Sequence, residues 1–471
     1  MIQTRRAQRT FGDGLIAEEV KDLRDEWMKH ADQLLDDKEI VAAIYEALAK
    51  RHPQSRTRGR PGTPAEVVLR LLVLKHMRNW SYGVLEREVR ANLVYRDFTR
   101  VGSTKMPDAK TMGRWGVAVG PVVVKQIHER IVQIARDHRV AQGRRMRVDT
   151  TVVETNIHYP TDSSLLGDGV RVLTRTMAKI TALVGAAGAK LRDRSRSVKL
   201  RVLEIARAAR GKGPPNQAKL KQAYGKLLAA TGRVVGQAKR FSREIGDGVK
   251  RSTDALRQLT LQRLRQALDT MMPRLRQVMK QATARIFRGD TRSAGKILSL
   301  FEPSTEVIRK GKAGKPNEFG KMVKLQEAEN QVIIDYEVYD RRPSDSDLLI
   351  PAIEIHQAKL GRVPRLAAAD AAFYSSRNEA AAKRMGVERV CVPNRSTKSA
   401  ERKREQKKRW FRTGQKWRTG CEGRISVVKR RHGLNRCRYK GDAGMKRWVG
   451  LGVIADNLVT IGNAMATNSA K

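Results

Sequence analysis

RRMRVDTTVVETNIHY, residues 144–159, is where the chain stops reading as helix. The segment is rich in β-branched residues and alternates apolar with polar, the pattern of a strand. That alternation sets Asp149 on the face opposite Val148. Upstream, helical patterns fall at about 15–35 and 38–51, followed by a basic Arg/Gly/Pro connector, HPQSRTRGRPG, at 52–62. The spacing predicts a helix opened by Thr63 as N-cap, with Pro64 at N1 and Glu66 at N3. It is apolar nearly all round, as a core helix is. Ser81 caps a further helix with Val84, Leu85 and Val89 on its apolar side, a short helix covers 93–99, and PDAKTMGRW (107–115) leads to an amphipathic helix at 117–137. Short helices with Gly-containing turns fit either a helix-turn-helix or a plain helical bundle.

Downstream of 159–166 the helical pattern returns to about 300, with GKGPP (211–215) between two of the helices. Within 194–243 there are 14 Lys/Arg and one acid, Glu204, so the block reads as a hairpin or small bundle with basic outer faces. A Gly-, Lys- and Pro-rich loop at 301–320 precedes a hairpin, GKMVKLQEAENQVIIDYEVYD (320–340), turning near Glu329 and Asn330. Then come a helix at 345–360, a buried strand RLAAADAAF (365–373) ending at Asp370, a helix at 375–385 and a short strand ERVCVP (388–393). Residues 395–417 are intensely basic, with Trp410, Phe411 and Trp417 interleaved. They read either as a groove on which unpaired bases stack or as a disordered loop touching only phosphates. Helices at 418–431 and 448–466 close the chain.

Composition narrows the partner. The 471 residues hold 96 Lys+Arg against 48 Asp+Glu, a net charge of +48. Such an excess repels itself in a compact state and calls for a polyanion. The basic residues are spread along the whole chain, which favours nucleic acid over a membrane surface. Three cysteines (Cys391, Cys421, Cys437) without C-x-x-C spacing give neither a disulfide framework nor a zinc site and fit a reducing cytosol. No N-terminal signal pattern is read. The apolar run 449–465 contains Asp456, Asn457 and Asn463 and reads as a buried helix, not a membrane span.

With 167–300 set aside, the order is strand, hairpin, helix, strand, helix, strand, helix. Three antiparallel strands followed by strand–helix alternation is the ribonuclease H-like order, an α/β fold on a mixed sheet. The expected division is a helical N-terminal domain for DNA binding or dimerisation (1–140), a catalytic domain (141–166 with 301–471) and a basic helical insertion (167–300). In that order one carboxylate sits on the first strand, a second follows the fourth, and a third rides a later helix. Asp149, Asp370 and Glu422 occupy those places. Magnesium binds through a few carboxylates plus substrate phosphate oxygens. Two such ions about 4 Å apart serve an in-line phosphoryl displacement.

The helix carrying Glu422, RTGCEGRISVVKRR (418–431), puts Arg418, Glu422 and Lys429 on one stripe. At about 100° per residue, Glu422 lies about 40° and Lys429 about 20° round from Arg418. By itself this is also an ordinary salt-bridged helix face. Together with the upstream segments it resembles bacterial insertion-sequence transposases of the DDE class. VDTTVVETNIHYPTDSSLL around Asp149 resembles their first-Asp segment and AAADAAFYSSRN around Asp370 their second. Arg418-x3-Glu422-x6-Lys429 matches R-x3-E-x6-K of their Y-R-E-K signature, with Gln415 where the Tyr is expected. Residues 60–115 resemble their N-terminal helical domain.

The resemblance implies metal ligation and catalysis by Asp149, Asp370 and Glu422, with Mg²⁺ as cofactor and Mn²⁺ as a substitute. It implies phosphate contacts by Arg418 and Lys429, for a bidentate grip and a point charge respectively; Arg424 and Arg430 on the same helix are further DNA-binding candidates. Trp410 and Trp417 are candidates to stack a base flipped out near the cut. The expected partners are double-stranded DNA, as terminal inverted repeats and target, and a second copy of the chain in the DNA complex. No membrane partner is expected, and the expected location is the bacterial cytoplasm. Alternatives that share parts of this reading are a ribonuclease H-like nuclease or resolvase, an inactive transposase-derived DNA binder, and a structural RNA-binding protein. His158 reads as a surface or packed residue, Glu154 as too far along the strand to share the site, and Cys421 as a packing residue. Asp335 and Asp340 differ in strand parity and cannot both face one site.

Overall fold

The computed structural model describes residues 1–471 apart from 7, 9, 53, 185–189, 212, 252–253, 310–315 and 470–471. Parts of the 52–62 connector, the GKGPP stretch and the 301–320 loop therefore lie outside the described residues. The contacts divide the chain into two units, residues 1–156 with 307–471, and residues 157–306.

The first unit opens with α1 (Phe11–Glu19), α2 (Glu26–Leu35), α3 (Lys38–Ala49), α4 (Ala65–Met77), α5 (Tyr82–Ala91), α6 (Leu93–Phe98) and α7 (Ala109–Asp137). The expected helix at 15–35 is thus two. Helix α4 starts one residue later than predicted. Pro64 is its N-cap and no side chain caps it. The backbone carbonyls of Gln3 and Thr4 accept its first N–H groups instead. Glu66 is drawn away from any capping role by Arg100 (2.6 Å) and the Arg6 N–H (3.0 Å). The Ser81 cap on α5 is present. Every residue of α4 is buried. Lys75 and His76 are therefore inside, with the Lys75 ammonium 4.7–4.9 Å from the ring centres of Tyr82, Tyr439 and Trp448.

Among the described residues the sheet has six strands: β1 (Arg145–Glu154), β2 (Glu306–Ile308), β3 (Glu318–Glu327), β4 (Ile333–Val338), β5 (Leu366–Ala368) and β6 (Arg389–Cys391). β1 runs antiparallel to β3, and β3 to β4, while β5 and β6 run parallel to β1. This is the strand and hairpin order read from the sequence. β2 is an addition, lying in what reads as loop. One face of β1 sends Met146, Val148 and Val152 into a core with α12 (Leu349–Leu360) and α13 (Ser376–Arg384). The other face sends Val153 into a core shared with Val323, Leu325, Val428 and Trp448. Asp149 lies on this second face, opposite Leu325.

The second face is covered by α15 (Arg409–Arg431), which follows α14 (Ala400–Lys407), and by α16 (Gly441–Ser469). The basic segment 395–417 is therefore largely helical, and α15 begins nine residues earlier than the expected 418. Helix α16 is long and apolar enough over Gly441–Thr467 to cross a membrane, yet two thirds of it is buried in the protein. Its Asp456 pairs with Arg424 at 2.9 Å, and the Asn457 amide bonds both backbone groups of Ile333.

Helices α2, α3, α4, α7 and α16 share one core with Ala328, Val332 and Ile334 of the hairpin. The helices of 1–140 share this core and the first unit with the hairpin and α16.

The second unit comprises α8 (Asp162–Val184), α9 (Ser195–Ala208), α10 (Pro214–Arg251) and α11 (Ala255–Arg288). Its own core includes Leu166, Leu173, Leu227, Phe241, Leu268 and Leu275. It extends past the expected 167–300 at both ends. Asp162 belongs to it, bonded to Gln281 (2.9 Å) and Arg285 (2.7 Å). His158, read as a surface or packed residue, is exposed and bonds Asp168 at 3.0 Å.

Candidate active site

Strand β1 carries Asp149 beneath α15, with the side chain only 15% exposed. Its Oδ1 accepts the Thr150 N–H at 2.7 Å. Asp370 follows the C-terminal end of β5, where it caps the turn Ala371–Phe373 and accepts the Ala371 N–H at 2.6 Å. Glu422 rides α15 and is the most open of the three, 56% exposed.

One guanidinium stands beside two of these acids, and the charge of the third also reaches it. Arg418 donates to Glu422 at 2.8 Å and lies 3.7 Å from Asp149. Burial works against its charge, but the Glu422 hydrogen bond, and then the charges of Glu422, Asp149 and Asp370, outweigh that and raise its pKa. Arg418 is buried and faces the carboxylates. It is not displayed for a phosphate, as the resemblance implied. Its Nε and Nη1 are buried without hydrogen-bond partners.

Hard oxygen donors from separate segments, two of them beside one cation, suit a hard divalent ion. Among the described residues no three His, Cys, Asp or Glu side chains stand close enough to hold an ion as they are. The acids meet through Arg418, not directly.

Beside Asp149 the same sheet face carries an ion pair that the sequence did not reveal. Arg147 pairs with Glu327, directly across β1 and β3, with both side chains buried. Arg147 also donates to the Trp417 carbonyl at 2.6 Å and lies 5.0 Å from that indole ring. Burial raises the Glu327 pKa despite Arg147, and raises the Cys421 thiol well above its ordinary value, as do the neighbouring charges of Glu327 and Asp149. The pair reads as unremarkable strand charge in the sequence.

Two glycines let α15 sit this close. A Cβ on Gly414 would meet the Cys391 Sγ at 2.6 Å, and one on Gly420 would meet Arg147 Nη1 at 2.4 Å. Gln415, where Tyr is expected, donates to the Cys391 carbonyl at 2.7 Å and ties the helix to β6.

The other predicted DNA contacts divide. Arg424 is spent within the fold on Asp456, Thr460 and Gln331. Lys429 is half-buried and Arg430 exposed, on the last turns of α15. Trp410 and Trp417 are half-buried on its first turns. Glu154 pairs with Arg436 at 3.3 Å, away from the cluster. Asp335 is buried among Lys125, Lys324 and Lys359.

Residues 17–116 match the family described as Transposase domain (DUF772), and residues 377–461 match the family described as Transposase DDE domain. The first match covers helices of the N-terminal region, and the second includes Arg418, Glu422 and Lys429. No curated protein and no solved structure matches the chain. The chain carries a transposase domain towards each end.

Proposed function

We propose that this chain, with a transposase domain on either side of its helical block, is a DDE-class DNA transposase with a ribonuclease H-like core. It binds element ends, hydrolyses the phosphodiester there and joins the freed 3′-OH to target DNA. The observation that carries the reading is Arg418 paired with Glu422, 3.7 Å from Asp149 and within the field of Asp370, acids brought from three distant segments. Two of those segments are strand and strand end, and the third is a helix laid across them.

Asp149, Asp370 and Glu422 would hold Mg²⁺, with Mn²⁺ as substitute; bound there, the ion supplies an activated attacking oxygen and stabilises the leaving one. Arg418 offsets repulsion among the three carboxylates and keeps them aimed at one point. Arg147 and Glu327 fix the height of α15 above β1, and so the position of Glu422 relative to Asp149. Lys429 and Arg430 supply charge for end phosphates on the same helix. A second copy of the chain serves the second end.

The test is a two-DNA reaction in Mg²⁺ with the purified full chain. Joined product supports a transposase, nicking alone a nuclease, and neither a DNA binder. Asp149→Asn should abolish chemistry while end binding persists. Intact joining in that variant would show the metal assignment to be wrong.

A further inference from the structure

At the opposite end of the parallel strands from Asp370 lies a second basic feature. Arg144 precedes β1 and Arg145 begins it, Arg365 precedes β5, Arg389 begins β6 and Arg409 begins α15; all five are exposed. They line a groove of about 710 Å³ whose wall holds Trp410 and Trp417. Glu388 is its one acidic lining residue, 3.5 Å from Arg365. No side chain caps the N-terminus of α15, so its positive end adds to the field.

The groove is distinct from the carboxylate cluster. Trp410 lies 12 residues before Glu422, about 18 Å along the helix. Trp417 lies about 140° round the helix from Glu422. The sequence offers both indoles as candidates to stack a base at the cut; by helix geometry each stands on another side of α15 from Glu422.

We propose that this groove holds a single-stranded stretch of DNA, its phosphates on the arginines and one base on Trp410. Three observations favour an unpaired strand. Sites of about 300–1,000 Å³ take ligands the size of a few linked rings, which a nucleotide or two fits and a duplex does not. Base faces are available to indole only when unpaired. Trp410 is covered by a movable group, the exposed Arg389, whose Cζ lies 5.8 Å from the ring centre, and an arriving phosphate draws that guanidinium aside. Trp417 already carries Arg147 and serves as wall. Resting on the transposase reading, the bound segment is the strand left unpaired beside a cut end.

The test uses the full chain and a labelled oligothymidylate of about 12 nucleotides, within the range of about 4–16 typical for single-strand sites. A duplex of equal length runs in parallel. Trp410→Ala should weaken oligothymidylate binding roughly 5- to 100-fold, as loss of one stacked base does, and duplex binding by less than about twofold. Trp410→Phe should restore affinity to within about threefold while removing part of the tryptophan quenching on binding, which excludes simple misfolding. Paired Arg389→Gln and Arg409→Gln changes should flatten the salt dependence by about 0.7 per lost phosphate contact.

The proposal is overturned if Trp410→Ala binds oligothymidylate like the parent, if both DNAs are lost equally, or if Trp410→Phe behaves as Trp410→Ala. Displacement of oligothymidylate by polyglutamate at equal charge also overturns it, in favour of an acidic polypeptide. The enzymatic reading fails separately: parent protein that does not nick DNA in Mg²⁺ yet binds oligothymidylate through Trp410 loses the former and keeps the latter.

Discussion

At the scale of single residues, Arg418 and Lys75 show opposite uses of a buried cation. Arg418 pairs with Glu422 beside Asp149, so it competes with any ion these acids would hold. Arg418→Met keeps the stem and removes the charge. Calorimetric titration with Mn²⁺ should show binding roughly tenfold tighter than in the parent, about 1.4 kcal/mol, while DNA joining falls because the acids lose their common aim. Unchanged Mn²⁺ affinity would show that Arg418 is a structural brace alone. Lys75 instead sits among aromatic rings, and burial, with a smaller contribution from Arg438, lowers its pKa to about 7 from 10.5. Between those values the unfolded chain binds more protons than the folded one, so stability rises with pH. The penalty is full below about pH 7. Other facing groups titrate elsewhere: burial lowers His76 well below its ordinary value and raises Tyr82 and Tyr439. Above about pH 9 the raised thiols Cys391 and Cys421 work in the opposite sense. All six tryptophans lie outside 157–306, so their fluorescence follows the site-bearing unit alone. Urea unfolding by fluorescence should gain about 1–2 kcal/mol between about pH 7 and 8.5, at up to about 1.4 kcal/mol per unit. Lys75→Met should remove that slope and raise the midpoint at pH 7.

At the scale of elements, α15 decides the geometry. It crosses the sheet on glycines, and its buried set is Phe411, Gly414, Arg418, Cys421 and Val428. The spacings of three, four, three and seven residues are a helical stripe, so the whole helix was present in the sequence. It was missed before residue 418 because glycine and arginine do not register as apolar, and dense positive charge reads as loop. The strands were legible because period-two alternation is strong in β1 and β3. The capping of α4 was not, since its partners come from residues 3 and 4, far away in sequence. The Arg147–Glu327 pair was hidden for a related reason: register across a hairpin and an intervening helical block cannot be counted from one strand. It anchors α15 through the Trp417 carbonyl, which gives a double-mutant test. Glu327→Leu alone strands the Arg147 charge and should cost about 3–5 kcal/mol. Adding Arg147→Met should recover most of that stability in fluorescence-monitored urea unfolding, but not DNA joining, because α15 loses its anchor. Gly420→Ala should likewise reduce joining more than stability, since only the arginine tip must yield. Full joining activity in the stable double variant would remove the pair from any positioning role.

At the scale of the whole molecule, charge was the most legible property and the division into units the least. The sequence places a basic helical block at 167–300, and the contacts set residues 157–306 in a unit of their own. They do not give the N-terminal helices a unit of their own, because the apolar surface of α4 and α7 is completed by α16, more than 300 residues on. Periodicity reports which face of a helix is apolar and nothing about which distant element covers it. Residues 157–306 carry 31 Lys/Arg and 11 Asp/Glu, net +20, so the charge is denser there than in the rest of the chain. In that unit Arg207, Lys219 and Lys226 are exposed and line one cleft between α9 and α10. If this face follows a duplex backbone, each phosphate contact contributes about 0.9 to the slope of log affinity against log salt. The full chain should therefore lose about 10³–10⁵ in duplex affinity between about 50 and 200 mM salt, given about 6–10 such contacts. Arg207→Gln, Lys219→Gln and Lys226→Gln together should flatten the slope by up to about 2.7, with the urea midpoint of the site-bearing unit unchanged. Anisotropy titrations of a labelled duplex at several salt concentrations measure both slopes. An unaltered slope in the triple variant would assign the cleft to packing or to another partner, and place the duplex contacts on the first unit.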